Sequence, residues 1–318
     1  MNHSRRILAS AVAAAFTLTV TAVSAAPPIR VGADLKDYKA PMKKDCSLTV
    51  PNQVPTIQAA LAAAVDGDTI CVKTGIFYED VVINKSIRLA GDGSPSAVIM
   101  GQGLSASVII DADDVLVEGF LINGVGSDYT SAAVLITEGR SRVRVRSNRI
   151  VAGNGALALR ADGAQNSHVI KNNVLVGSNS PQILLISGQP GVGKPSNDIR
   201  LVANTFIGTV MPTPRDDTGI ALASEATENV LKRNLFEVTG TVHELAHFGF
   251  SSNIVKRNNF NSDTFSPLTG TPVKLRAGFE GTTNAENNWW GDLDPSDNIQ
   301  GDIDAVPFAR TPFKQNKY

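Results

Sequence analysis

Between Val145 and Trp289 the chain repeats one short phrase six times. It reads Val145-Arg-Ser-Asn148-Arg-Ile150, Ile170-Lys-Asn-Asn173-Val-Leu175, Leu201-Val-Ala-Asn204-Thr-Phe206, Val230-Leu-Lys-Arg-Asn234-Leu-Phe236, Ile254-Val-Lys-Arg-Asn258-Asn-Phe260 and Ala285-Glu-Asn287-Asn-Trp289. The asparagines step by 25, 31, 30, 24 and 29 residues. A self-similar period in this range marks a solenoid, whose units cannot bury their apolar faces alone and do so by stacking.

Around the phrase, each unit divides into three parts. The first alternates apolar residues: Val108/Ile110, Val134/Ile136, Leu157/Leu159, Ile220/Leu222, Phe248/Phe250 and Val273/Leu275. Period-2 alternation predicts strands whose inward side chains stack from coil to coil. A second strand ends at the asparagine, and a third short strand follows. The asparagines are structural in this reading, because an amide at one turn of every coil bonds its neighbours above and below. No long helical pattern interrupts the coils. Thr56–Val65 reads as a short helix, with Ile57, Leu61 and Val65 on one face, that covers the open end of the first coil.

Of the 318 residues, 42% are hydrophobic and 19% charged, which suffices for a long core. The N-terminus has the pattern of an export signal: Arg5 and Arg6, an apolar run from Ile7 to Val20, and small residues at Val23-Ser-Ala25. The expected organisation is a signal peptide over 1–25, a leader over 26–45, a β-helix domain over 46–310 and a tail over 311–318. Pro27-Pro28 follows where a spanning helix would have to continue, so no membrane span is expected after cleavage. Removing the signal leaves 27 basic against 30 acidic groups, a net of −3. That balance argues against nucleic acid as a partner. In an oxidising compartment Cys46 and Cys71 are expected to pair and tie the cap to the first coil.

The chain resembles the right-handed parallel β-helix, or pectin-lyase-like, superfamily over about residues 50–305. The matching text is Thr56-Ile-Gln58-Ala-Ala60, Gly67-Asp68-Thr-Ile70, Gly75-Ile-Phe77-Tyr-Glu79 and Lys85-Ser-Ile87-Arg-Leu89-Ala-Gly91, closed by Asn287-Asn-Trp-Trp-Gly291 as in secreted bacterial members. The resemblance implies an all-β, single-domain right-handed solenoid. It leaves the activity open, because the superfamily holds lyases, hydrolases, esterases and epimerases. In this superfamily glycans usually lie on the outward face of the first strands.

Two motifs point elsewhere. His243-Glu-Leu-Ala-His247 spells a zinc-peptidase pattern, which needs a helix to bring both imidazoles to one face. A helix there would consume the strand carrying Phe248 and Phe250. A turn entering a strand is the better reading, which leaves His243 and His247 as weak metal candidates and a metallopeptidase as a remote alternative. Ile183–Pro195 approaches a phosphate-binding loop, but Pro195 stands where the Mg²⁺-binding hydroxyl belongs.

By alternation the outward face of the first strands carries Ile109, Asp111, Leu135, Thr137, Ala158, Arg160, Asp162, Ala221, Ala223, Gly249, Ser251, Lys274 and Arg276. Arg160, Asp162, Lys274 and Arg276 are the candidate substrate-binding residues, because glycan cleavage needs paired carboxylates or a base beside a neutralising cation. The connections Gly188–Asn197, Gly208–Thr218 and Asn261–Pro272 would wall this face. No cofactor is required. The acids from Asp292 to Asp304 could hold Ca²⁺ but read more simply as turns, and Trp289 and Trp290 read as core. The reading is a secreted or periplasmic monomer that binds or processes a polysaccharide or cell-envelope glycan, as a lyase, a hydrolase or a non-catalytic binding module. A purely structural or adhesive surface protein is the alternative.

Overall fold

A computed structural model describes residues 45–93, 96–127, 130–180, 182–186, 196–210, 220–224, 226–240, 244–249, 252–261, 273–277, 281–291, 294, 296 and 298–314. Among them the chain winds into an all-β parallel solenoid with one short helix, α1 (Ile57–Ala63). Three long sheets run along its axis, and within each the strands pair in parallel. Sheet 1 has nine strands from Val81–Ile83 to Ile299–Gln300, sheet 2 has eleven from Leu48–Val50 to Ile303–Asp304, and sheet 3 has eight from Gly75–Tyr78 to Asn259–Phe260. A typical coil runs Ala132–Ile136, Arg144–Arg146, Arg149–Val151, one strand in each sheet. This is the solenoid expected from the repeat, and the right-handed parallel β-helix that the resemblance implies.

The predicted asparagine ladder forms at the turn from sheet 2 to sheet 3. Asn173 Oδ1 accepts from both the backbone N–H and the Nδ2 of Asn148, at 3.0 and 3.2 Å. Its own Nδ2 donates to Val145 O at 2.8 Å and to Asn204 Oδ1 at 3.1 Å. Asn204, Asn234 and Asn258 repeat the arrangement. Every one of these amides is buried, so each satisfies polar groups that water cannot reach. The last rung is Asn288, not Asn287: Asn258 Nδ2 donates to Asn288 Oδ1 at 3.0 Å. The residue before each rung has positive φ, at Ser147, Asn172, Ala203, Arg233, Arg257 and Asn287. Asn287 therefore fills the left-handed position, which asparagine tolerates better than most residues.

The strand phase was read correctly at most positions, but Ala158, expected on the outward face, is fully buried in the core, and the position along sheet 1 was not always read correctly. The stacked inward pairs are Val108/Ile110, Val134/Ile136, Leu159/Ala161, Leu184/Ile186, Leu222/Ser224, Ala246/Phe248 and Leu275/Ala277. From the third coil on, the sequence reading placed the pair two residues early or late and missed the coil of Leu184. A period of two fixes the face and leaves the register to the turns.

The core changes character along its length. In sheet 3 the inward column runs Ile150, Leu175, Phe206, Phe236, Phe260. The three phenylalanine rings and Trp290 stack at 4.7, 5.0 and 4.9 Å, and Trp290 is fully buried as expected of a closing coil. At the other end α1 is capped by Thr56, whose hydroxyl accepts from Ala59 N, and by Glu79, whose two oxygens accept from Ile57 and Gln58 N–H groups. Lys85 Nζ donates to the carbonyls of Leu61, Ala62 and Ala64 at the opposite end. The buried face of α1 is Ile57, Ala60 and Leu61; Val65 lies beyond the helix and is exposed. The disulfide Cys46–Cys71 joins the chain ahead of α1 to sheet 2.

One corner column carries a titratable group. At the entry to sheet 2 the positions Val143, His168, Ile199, Asn229 and Asn253 follow residues of positive φ. His168 is fully buried there; its Nδ1 accepts from Val143 N–H at 3.1 Å and its Nε2 faces Gln165 Oε1 at 2.5 Å. The proton therefore sits on Nε2 and the ring is neutral. Desolvation lowers its pKa to about 4, against a smaller opposing influence of Asp113.

Candidate functional site

Two outward rows on sheet 1 gather the candidate chemistry. The first row, one residue per coil, is Val82, Ile109, Leu135, Arg160, Leu185, Ala223, His247, Arg276 and Gln300. The second begins two residues later with Asp111, Thr137 and Asp162. The backbone ladder holds these in line: Asp111 N donates to Ile83 O, Thr137 N to Ile110 O and Asp162 N to Ile136 O, at 2.8, 3.0 and 3.0 Å. Sheet 1 thus places Arg160, Asp162, Thr137 and Asp111 on one face of three successive coils.

Side-chain bonds fix their orientation. Arg160 Nε donates to Asp162 Oδ1 at 2.5 Å and its NH1 to Thr130 O at 2.5 Å. The two side chains are 26% and 30% exposed, so the pair is partly desolvated yet reachable. Thr137 Oγ1 bonds Asp111 Oδ1 at 2.5 Å, and Arg140 Nε stands 3.9 Å from the same oxygen. Behind them Gln165 Nε2 donates to Thr137 O at 3.1 Å and to Asp162 O, which pins the turn after the strand. Gly163 completes that turn at φ +68, and a Cβ there would run into the Glu138 side chain.

The arrangement has definite chemical capacity. A guanidinium has five N–H donors, and Arg160 commits two of them to Asp162 and Thr130. The rest suit a bidentate grip on a carboxylate. Asp111 and Asp162 stand two strand spacings apart, about 10 Å between backbones. Sequence reasoning named Arg160 and Asp162 but passed over Asp111, Thr137 and Arg140 as partners. Stepping from Asp111 by 26 and then 25 residues to Thr137 and Asp162 was the available signal.

The other candidates lie elsewhere. Arg276 sits four strand spacings from Arg160, about 19 Å along the axis, so the two do not share a site. Lys274 belongs to the strand Val273–Ala277, and its side chain lies outside the described residues. His247 is directly in register with Arg276 on the next strand, a neighbour that the sequence reading did not assign. The H-E-x-x-H text is a strand over Glu244–Phe248 and not a helix, because the inward Ala246 and Phe248 belong to the core columns. His243 lies outside the described residues, as do Gly188–Pro195 and Arg215, Asp216 and Asp217. After the phosphate-loop-like text the next described elements are strands, Ser196–Asn197 and Arg200–Val202.

Among the described residues no three His, Cys, Asp or Glu side chains gather as a metal-binding group. Of the C-terminal acids, Asp294 accepts from Ser296 N and Oγ, Asp302 from Thr282 Oγ1 and Asp304 from Val306 N, which is turn chemistry. Asp292 and Asp297 lie outside the described residues. No helix among the described residues is long and apolar enough to cross a membrane.

No family model matches the chain. A stretch of 82 residues is 39% identical to the probable ABC transporter binding protein NosD of Stutzerimonas stutzeri; it covers 25% of this chain and 18% of that protein. Among solved structures, an alginate lyase from Paenibacillus sp. str. FPU-7 superposes with a TM-score of 0.52 at 14% identity, over 78% of this chain and 96% of its own. Escherichia coli YbhC gives 0.50 at 11% identity over 85% and 88%. Rice weevil pectin methylesterase gives 0.48 at 12% over 86% and 92%. At such identities the likeness is one of fold, and the fold shared is the parallel β-helix.

Proposed function

We propose that this is an exported polysaccharide-processing β-helix whose glycan lies across the strands of sheet 1 and reacts at Arg160–Asp162. The observation that carries the reading is the partly desolvated Arg160–Asp162 pair, set in line with Thr137 and Asp111 on the outward face of adjacent coils. Arg160 binds and neutralises a uronate carboxylate, which makes the adjacent C5 proton easier to remove; an Asp162 oxygen receives that proton, the electron pair forms the C4–C5 double bond as the C4–O glycosidic bond breaks, and the leaving oxygen takes a proton from water. The expected substrate is therefore an acidic glycan and the expected chemistry β-elimination. The export signal of Arg5, Arg6 and the apolar run to Val20 supports a location in the periplasm or beyond.

A second reading, glycan recognition without turnover, draws support from the local match to a protein named as a transporter binding protein. The two separate on one experiment. The full chain is incubated with acidic and neutral polysaccharides, and unsaturated ends and new reducing ends are followed together. Unsaturated product from uronate polymers, lost in Arg160→Ala and Asp162→Asn, supports the lyase. Silence in both channels with binding retained leaves the recognition module.

A further inference from the structure

Sheet 2 carries a charge pattern that neither the fold nor the sheet 1 site uses. Its inward residues, Leu89, Val117, Val145, Ile170, Leu201, Leu231 and Val255, are all buried. The alternate positions on the same seven strands, from Arg88–Gly91 to Ile254–Lys256, face outward. Seven of these fourteen positions are basic and one, Glu118, is acidic. One row reads Arg88, Leu116, Arg144, Val169, Arg200, Val230, Ile254; the other reads Ala90, Glu118, Arg146, Lys171, Val202, Lys232, Lys256. The whole chain has a formal net charge of −1, so this face is strongly basic on a molecule that is not.

The placement works against stability. Arg146 is directly in register with Lys171, and Lys232 with Lys256. Like charges on neighbouring strands repel. Some of the cations are engaged: Arg88 and Arg146 share Glu118, Arg200 meets Asp198 at 3.0 Å and Lys256 meets Glu286 at 3.2 Å. Lys171, Lys232 and Arg233 are exposed and make no ion pair with another described residue. An arrangement that opposes local stability is the expected mark of a working surface.

We infer that the outward face of sheet 2 is a second binding surface, for a linear acidic polysaccharide lying along the solenoid axis. Six of the seven strands carry an outward cation, the strand Leu116–Glu118 carrying the acid Glu118 instead; neighbouring strands stand about 4.8 Å apart and the series spans about 29 Å, a spacing on the scale of a single sugar ring. A DNA duplex advances about 3.4 Å along its axis per phosphate of each strand, which does not match the strand spacing, and a nucleic-acid binder carries a basic excess that this chain lacks. A bilayer-binding face inserts aromatic and long apolar side chains. The outward apolar positions between the cations of sheet 2 are instead small or branched residues: Val169, Val202 and Val230 are half-buried, Ala90 and Leu116 are buried, and Ile254 at the end of the row is exposed. They offer a flat bed for sugar rings whose carboxylates reach the flanking arginines and lysines. The inference rests on sheet 2 alone and stands whether or not sheet 1 turns substrate over.

The test measures binding of the full chain to immobilised polygalacturonate. Neutral dextran, phosphatidylglycerol vesicles and a DNA duplex are run beside it, for the wild type and for the triple variant Arg144→Gln, Lys171→Gln, Lys232→Gln. The expected result is binding to the polyuronate and not to dextran, weakened by salt and at least tenfold weaker in the variant. The melting temperature of the variant should be unchanged or higher, since repulsion is relieved. Equal binding by the two proteins would overturn the proposal, as would wild-type binding to vesicles or DNA as strong as to the polyuronate. Product formation is read separately, so a silent sheet 1 and a silent sheet 2 are distinguishable.

Discussion

The turn from sheet 2 to sheet 3 and the outward face of sheet 1 are both columns of residues in register, one per coil. The turn repeats the same side chain: Asn148, Asn173, Asn204, Asn234, Asn258 and Asn288. The face changes from each coil to the next: Ile109, Leu135, Arg160, Leu185, Ala223, His247, Arg276. An amide is both donor and acceptor, so a stack of identical amides satisfies itself and repetition is the stable solution. A column without repetition gains nothing from stacking and is free to carry chemistry. The comparison locates stability at the turn and leaves the face to the proposed function.

The largest effect should come from interrupting the repeating column. Asn204→Ala removes an oxygen that accepts from Asn173 N and Nδ2, and an amide that donates to Ile170 O and Asn234 Oδ1. The partners are buried and left unpaired, so the loss should be about 4 kcal/mol by urea denaturation. A loss under about 1 kcal/mol would mean that the ladder decorates the fold and does not hold it.

A somewhat smaller effect sharpens the picture at the other corner. His168 has a folded pKa of about 4 against 6.5 for the free side chain. In the window between these values the unfolded chain takes up a proton that the folded chain does not, so stability falls as pH drops from 6.5 to 4. The full loss is about 3 kcal/mol, reached near the lower value. In the same corner column Asn253 Oδ1 accepts from Asn229 N as His168 Nδ1 accepts from Val143 N. His168→Asn keeps the acceptor and removes the titration, so its pH profile should be flatter than the wild type's. A slope identical to the wild type's would place the pH dependence elsewhere.

The smallest change in stability belongs to the non-repeating face. Arg160→Ala should cost less than about 1 kcal/mol, because its pair with Asp162 is partly solvated. Activity on an acidic glycan should fall by about a hundredfold or more for both Arg160→Ala and Asp162→Asn.

This division also explains what could be read from sequence. The solenoid, its ladder and the cap of α1 follow from repetition and from local capping chemistry, which a sequence displays directly, and the Cys46–Cys71 bridge from a pair of cysteines in a chain with an export pattern. Asn287 was mistaken for the last rung because two adjacent asparagines fit one phrase, and only the left-handed turn tells them apart. The sheet 1 pairs slipped by two residues because alternation has no landmark along the strand. Asp111 and Thr137 are 26 residues apart yet bonded, a relation set by coil length, which varies from one coil to the next. The basic rows of sheet 2 were masked by the overall charge of −1, which averages over a face that is far from neutral.

The measurement that tests the account most directly is a paired one on Arg160→Ala: product formed from a uronate polysaccharide, and urea-denaturation stability of the same preparation. The account predicts that product is lost while stability stays within about 1 kcal/mol of wild type. Product undiminished in the variant, or a loss of stability as large as that of Asn204→Ala, would contradict it.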